Sequence, residues 1–173
     1  QINARVFYKN PDFVAGSLVG YDIENNTGGA GYIVTPHTPL NLDAYLSPVN
    51  ITGTTNGFLE NADIKVLPAS STSVARAQPD SQGLWNFSTI SDPNHQLGQL
   101  MAYYWISQEK QKATSLLPNS WHPTAKSVSI YSYCYDANAG FSSGYNAYWS
   151  GLGGNNVCMC YIENLETAYD ASL

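Results

Sequence analysis

Charge is what this sequence has least of. Lys, Arg, Asp and Glu make up 12% of its 173 residues, with seven basic side chains against thirteen acidic ones. Seven cations spread from Arg5 to Lys126 cannot lay down the stripe that follows a phosphate backbone, and a net charge of −6 repels one. A nucleic-acid partner is therefore not expected. No apolar run approaches the ~18–20 residues that span a bilayer, so no membrane partner is expected either. Histidine is equally thin. His37, His95 and His122 stand far apart, and none forms the i, i+4 pair that grips zinc from one helix face. There is no Gly-x-Ser-x-Gly elbow and no glycine-rich phosphate loop. Glu109, Glu163, Glu166 and Asp170 form no recognisable acid/base pair. Asp136-Ala137-Asn138-Ala139-Gly140 starts like a calcium loop but lacks the third oxygen ligand and the distal Glu, which favours a plain turn. Within this sequence no catalytic residue and no metal ligand set can be named.

Three cysteines are present, an odd number. Cys158 and Cys160 lie two apart in the apolar run Val157–Ile162, so on a strand both occupy one face and are badly placed to bridge each other. Either Cys158 or Cys160 could reach Cys134 on a neighbouring strand, leaving the third thiol over. A Cys-x-Cys zinc site is the sharper alternative, but it lacks a fourth ligand and the usual spacing.

What the sequence does have is polar but uncharged surface chemistry and aromatic bulk: 14 glycines, 13 tyrosines and four tryptophans within a 43% hydrophobic composition. The length suffices for one domain with a real core. Three Asn-x-Ser/Thr sites, at Asn25, Asn50 and Asn86, fit a secreted protein, and the start at Gln1 reads as a processed chain.

Residues 1–90 read as a β-rich subdomain. Short strand-like stretches at Ala4–Tyr8, Leu18–Ile23, Gly31–Val34, Ile64–Leu67 and Leu84–Phe87 alternate with Asn, Gly, Pro and Thr clusters. Ser47–Gly57 reads as loop. Residues 91–173 form a second unit. Asp92 can cap a helix with Pro93 in its first turn, and Leu97, Leu100, Met101 and Tyr104 then recur at i, i+3, i+4, i+7, with Trp105 widening the stripe. The spacing predicts one long amphipathic helix over 93–113. Ser127–Tyr135 sets Val128 and Ile130 against Ser129, Tyr131 and Ser132, a half-buried strand. Tyr145–Trp149 and Val157–Ile162 read as two more strands, and Ala168–Leu173 as a helix just beginning. The expected fold class is α+β: a twisted, antiparallel sheet with that one helix.

The stretch that carries a functional hint is Tyr145-Asn146-Ala147-Tyr148-Trp149-Ser150-Gly151, which follows a helix containing Ala102-Tyr103-Tyr104-Trp105 and the strand Val128–Tyr135. In this order and context, residues 92–173 resemble the thermolysin-like zinc metallopeptidases, the gluzincins. In that family an edge strand reading roughly Tyr-Asn-Asn-Ala-Phe-Trp-Asn-Gly precedes the helix bearing His-Glu-x-x-His. The resemblance implies an N-terminal lobe of a secreted zinc endopeptidase whose zinc ligands and general-base Glu lie outside this sequence, in the C-terminal part of the same catalytic domain. It further implies that Ala147 pairs its backbone with a peptide or protein substrate, that Asn146 holds that peptide through its amide, and that Trp149 braces the strand from below. The acidic Gly-Asp-Gly-Asp segment of thermolysin itself is absent, with Val157-Cys158-Met159-Cys160 near its place, which leaves calcium open. The competing expectation, from the aromatic content, is a secreted β-rich carbohydrate- or protein-binding module without catalytic activity.

Overall fold

The computed structural model describes residues 2–8, 43–68, 74–88, 92, 94–118, 127–134, 147–150, 156–162 and 165–166. In chain order these comprise β1 (Ala4–Phe7), a 3₁₀ turn (Asp43–Tyr45), β2 (Leu46–Val49), β3 (Ile64–Pro68), α1 (Gln96–Leu116), β4 (Val128–Cys134), β5 (Ala147–Ser150), β6 (Asn156–Ile162) and β7 (Leu165–Glu166). The architecture is α+β, with one α-helix among the described residues. The strand-like stretches Leu18–Ile23 and Gly31–Val34, and the helix expected at Ala168–Leu173, lie outside the described residues.

The smaller sheet is antiparallel: β1 pairs β2 with Ala4 opposite Val49 and Phe7 opposite Leu46. Leu46–Val49 largely falls where Ser47–Gly57 reads as loop, and it holds Pro48 within the strand. A proline removes one ladder donor, and a strand with one free edge tolerates that loss. Leu84–Phe87, by contrast, forms no strand. It contributes a single bridge from Trp85 to Ala4, closed by the Trp85 amide donating to the Asn3 carbonyl at 2.7 Å.

The larger sheet corrects the antiparallel expectation. Its order is β3-β4-β6-β5, with β7 pairing the end of β6. β3 runs parallel to β4 and β4 parallel to β6, while β5 and β7 are antiparallel to β6. For β3 and β4 the reason is the helix. Parallel neighbours need a long crossover, and α1 lies in the chain between β3 and β4 and packs on both. Residues from both sides of position 90 therefore share this sheet and one core, in which Val6, Phe7, Leu59, Ile64 and Val66 pack with Leu97, Leu100, Met101 and Ile130.

The helix starts three residues later than the spacing predicts, and ends three later. His95, its N-cap residue, is left-handed at φ 50°, which breaks the helical path before Gln96. Asp92 still caps, but from further back: its two carboxylate oxygens accept from the amides of Gln96 (2.8 Å) and Leu97 (2.6 Å). At the other end Leu117 is extended, with ψ 143°, as a residue preceding proline must be, and Pro118 follows it.

Burial along α1 is also not the expected stripe. Every residue from Leu97 to Tyr104 is buried, whereas Leu116 is 73% exposed. The apolar gradient thus runs lengthwise. The first two turns are enclosed by β1, the sheet and residues 75–77, and the last turns project beyond them. Gln99 makes this enclosure possible for a polar side chain. It is 1% exposed, accepts from the Ala77 amide (2.8 Å) and donates to the carbonyls of Ala75 (2.9 Å) and Asn94 (3.2 Å). On β4, Ser132 departs from the polar set expected for it: it shares the face of Ile130, and both are fully buried.

Candidate functional site at the β5 edge

β5 is a four-residue strand at one end of the sheet order, and among the described residues it pairs with β6 alone. Its register is Ala147 opposite Met159, Tyr148 opposite Cys158, Trp149 opposite Val157 and Ser150 opposite Asn156. In an antiparallel strand alternate residues direct their amide and carbonyl groups to opposite sides, so every second residue of β5 offers them away from β6. An edge of this kind is a ready template for an added extended chain.

The faces follow from register. Val157 packs against the core and is the register partner of Ile130. Trp149 opposite it, and Ala147 two residues earlier, therefore hold positions on the core-facing side, with Tyr148 and Ser150 on the other. Of the residues expected to hold substrate, Ala147 and Trp149 thus lie on the terminal strand; Asn146 lies outside the described residues. Cys134, Cys158 and Cys160 fall on the adjacent strands β4 and β6, with Cys134 opposite Cys160 and Tyr131 opposite Cys158.

Among the described aromatics some are spent on packing, while Tyr8 and Tyr45 stay exposed. Trp85 is 2% exposed, Tyr103 1% and Tyr104 8%, which removes them from any stacking platform. Trp105 is half-buried. Its indole nitrogen donates to the Phe7 carbonyl at 3.2 Å, and its ring meets Tyr104 edge-on at 5.1 Å and Tyr8 at 5.9 Å. Tyr103 spends its hydroxyl on the Asn61 amide (2.8 Å) and the Thr52 carbonyl (3.3 Å). Burial pushes both tyrosine hydroxyls up from their ordinary value.

One polar cluster is not anticipated by the sequence reading. Arg76 lies over the Phe58 ring at 4.0 Å and donates to Glu60 at 2.7 Å, while Asn56 donates to the other Glu60 oxygen at 3.1 Å. The Arg76 hydrogen bond, then that of Asn56, holds the Glu60 carboxyl below its usual range, so it is not poised as a general acid. The tight turn Asn56-Gly57, with φ of 56° and 71°, brings these groups together, and its Asn-Gly pair is the one signal that could have marked the hairpin. Lys110 and Asp63 form a second ion pair at 2.6 Å, half in solvent.

Among the described residues no group of three or more His, Cys, Asp or Glu is arranged to hold a metal ion, so zinc has no ligand set there. No described helix is long and apolar enough to cross a membrane. No protein-family model matches the chain, and no curated protein or solved structure matches it either.

Proposed function

We propose that this chain positions an extended peptide along the outer edge of β5, as the N-terminal part of a secreted zinc-dependent endopeptidase whose zinc ligands lie outside it. The observation that supports this reading is the place of β5: a short antiparallel strand at the end of a mixed sheet, carrying the Ala-Tyr-Trp sequence. A protease must hold substrates of many sequences, and main-chain pairing to a sheet edge is blind to side chains. Ala147 leaves room for an approaching backbone, and Asn146, immediately before the strand, is placed in sequence to add an amide contact.

The edge alone is a weak site. Two or three added main-chain hydrogen bonds contribute about 0.5–1.5 kcal/mol each, which corresponds to dissociation constants on the order of 1–10 mM or weaker. Peptide binding in the working range therefore requires the C-terminal part of the domain, and the chain by itself positions rather than cleaves. The binding-module alternative loses Trp85, Tyr103 and Tyr104, which are enclosed in the core, and keeps the exposed Tyr8 and Tyr45.

Expression with its C-terminal part tests the proposal. Asn146→Ala should lower peptidase kcat/KM by about tenfold to a hundredfold, the loss of roughly 1–3 kcal/mol of hydrogen bonding, with zinc content and folding unchanged. A loss below twofold, or a loss that tracks zinc content, counts against it.

A further inference from the structure

We infer that Cys134 and Cys160 form a disulfide that staples β4 to β6, leaving Cys158 as the free thiol. The sequence leaves Cys158 and Cys160 as equal partners for Cys134. The register separates them.

From Ser129 to Ser132 the pairing of β4 with β6 is regular, and Ser132 lies opposite Met159. The next matched pair is Cys134 with Cys160, so two steps along β4 correspond to one along β6. The register thus shifts by one residue on β4, as it does at a β-bulge. The shift changes the face of Cys134. Without it, Cys134 would continue the parity of Ile130 and Ser132 on the core-facing side. Cys158 and Cys160, one and three residues beyond the core-packed Val157, belong to the opposite side. The shift moves Cys134 onto that side and directly opposite Cys160.

Distance then decides between the two candidates. Neighbouring strands lie about 4.8 Å apart, inside the Cα range of about 4.4–6.8 Å that disulfides adopt. Cys158 sits two residues back along β6, about 6.6 Å, which places its Cα roughly 8 Å from Cys134, beyond the ~7 Å limit for bridging without backbone movement. Cys158 and Cys160 share one strand and one face, an arrangement with no route to a bridge.

The oxidation requires a disulfide reagent such as oxidised glutathione. The Cys134 thiolate attacks it and expels one glutathione thiolate. The Cys160 thiolate then attacks the Cys134 sulfur of the mixed disulfide and expels the second. Two protein thiols give up two protons and two electrons, and one reagent disulfide becomes two thiols. The consequence bears on β5, since β6 is its partner: the staple would tie that support to the centre of the sheet.

The test is peptide mapping of the full chain equilibrated with oxidised and reduced glutathione, alkylated, and digested without reduction. The inference expects a Cys134–Cys160 linked peptide and alkylation confined to Cys158, with one titratable thiol before reduction and three after. Cys158→Ser should keep the cross-link and abolish the free thiol, and Cys160→Ser should leave two free thiols. A Cys134–Cys158 link, three alkylated cysteines, or a cross-link of undiminished yield in Cys160→Ser would overturn it. These outcomes do not depend on whether the β5 edge binds peptide.

Discussion

Replacing Gln99 by Leu should destabilise the fold by about 2 kcal/mol, although it puts a hydrophobic residue of similar volume into a hydrophobic core. Gln99 serves three backbone groups, and they are not equally exposed. The Ala77 amide belongs to a residue only 1% exposed, so losing its acceptor leaves a buried donor unpaired, at a cost of about 1–3 kcal/mol. Ala75 is exposed, so its carbonyl can turn to water at little cost. The Asn94 carbonyl is half-buried and bonds at the longer distance of 3.2 Å, adding a few tenths at most. For a chain of this length the sum corresponds to a fall in Tm of about 4–8 °C. Urea unfolding followed by tryptophan fluorescence would read it, with an unchanged m-value showing that stability alone moved. Gln99→Glu supplies the control. Its carboxylate can accept from Ala77 but faces the Ala75 and Asn94 carbonyls, which raises its folded pKa. Its stabilising contribution is thus present at low pH and lost as pH rises. A loss below about 0.5 kcal/mol for Gln99→Leu, with no acid recovery for Gln99→Glu, would refute this account of how α1 is enclosed.

Leu100→Ala, at a fully buried position in the same core, should cost about 2–5 kcal/mol by chemical denaturation. Two carboxylates should give pH dependences of opposite sign. Glu60 has a lowered folded pKa, so its contribution is present above its ordinary 4.5 and is lost as pH falls through the folded value. The stability difference between wild type and Arg76→Gln should accordingly shrink from pH 7 to pH 3 in thermal melts. Asp92 is raised by burial, against the lowering effect of its bonds from Leu97 and Gln96. Its ionisation therefore withdraws stability as pH rises from its ordinary 3.8 through the folded value. An NMR titration placing the Asp92 carboxyl at or below 3.8 would contradict this.

The elements that could be read from sequence are those with a local signal. Val128–Cys134 alternates, α1 repeats its apolar residues at helical spacing, and Asp92 accepts from the first helical amides, though three residues further back than its position implies. Three features depend on contacts between distant segments and carry no such signal. Strand direction in the larger sheet follows from α1 crossing between β3 and β4, which no local pattern encodes. Burial of Gln99 depends on a carbonyl and an amide more than twenty residues earlier in the chain. The pairing of Leu46–Val49 with β1 overrides the local reading of Ser47–Gly57 as loop. At the candidate site the sequence located the strand of Ala147 and Trp149 to within two residues. It could not choose between Cys158 and Cys160, because that choice turns on one extra residue between Ser132 and Cys134.

Residue-resolved amide exchange across Ala147–Ser150, with and without a β-forming hexapeptide above 10 mM, tests the central proposal most directly. In the free chain alternate amides of β5 should exchange quickly, being directed away from β6, and added peptide should slow those same amides severalfold while leaving the α1 amides unchanged. Amides of β5 that are all protected before peptide is added, or exchange there that peptide does not alter, would contradict a substrate-holding edge.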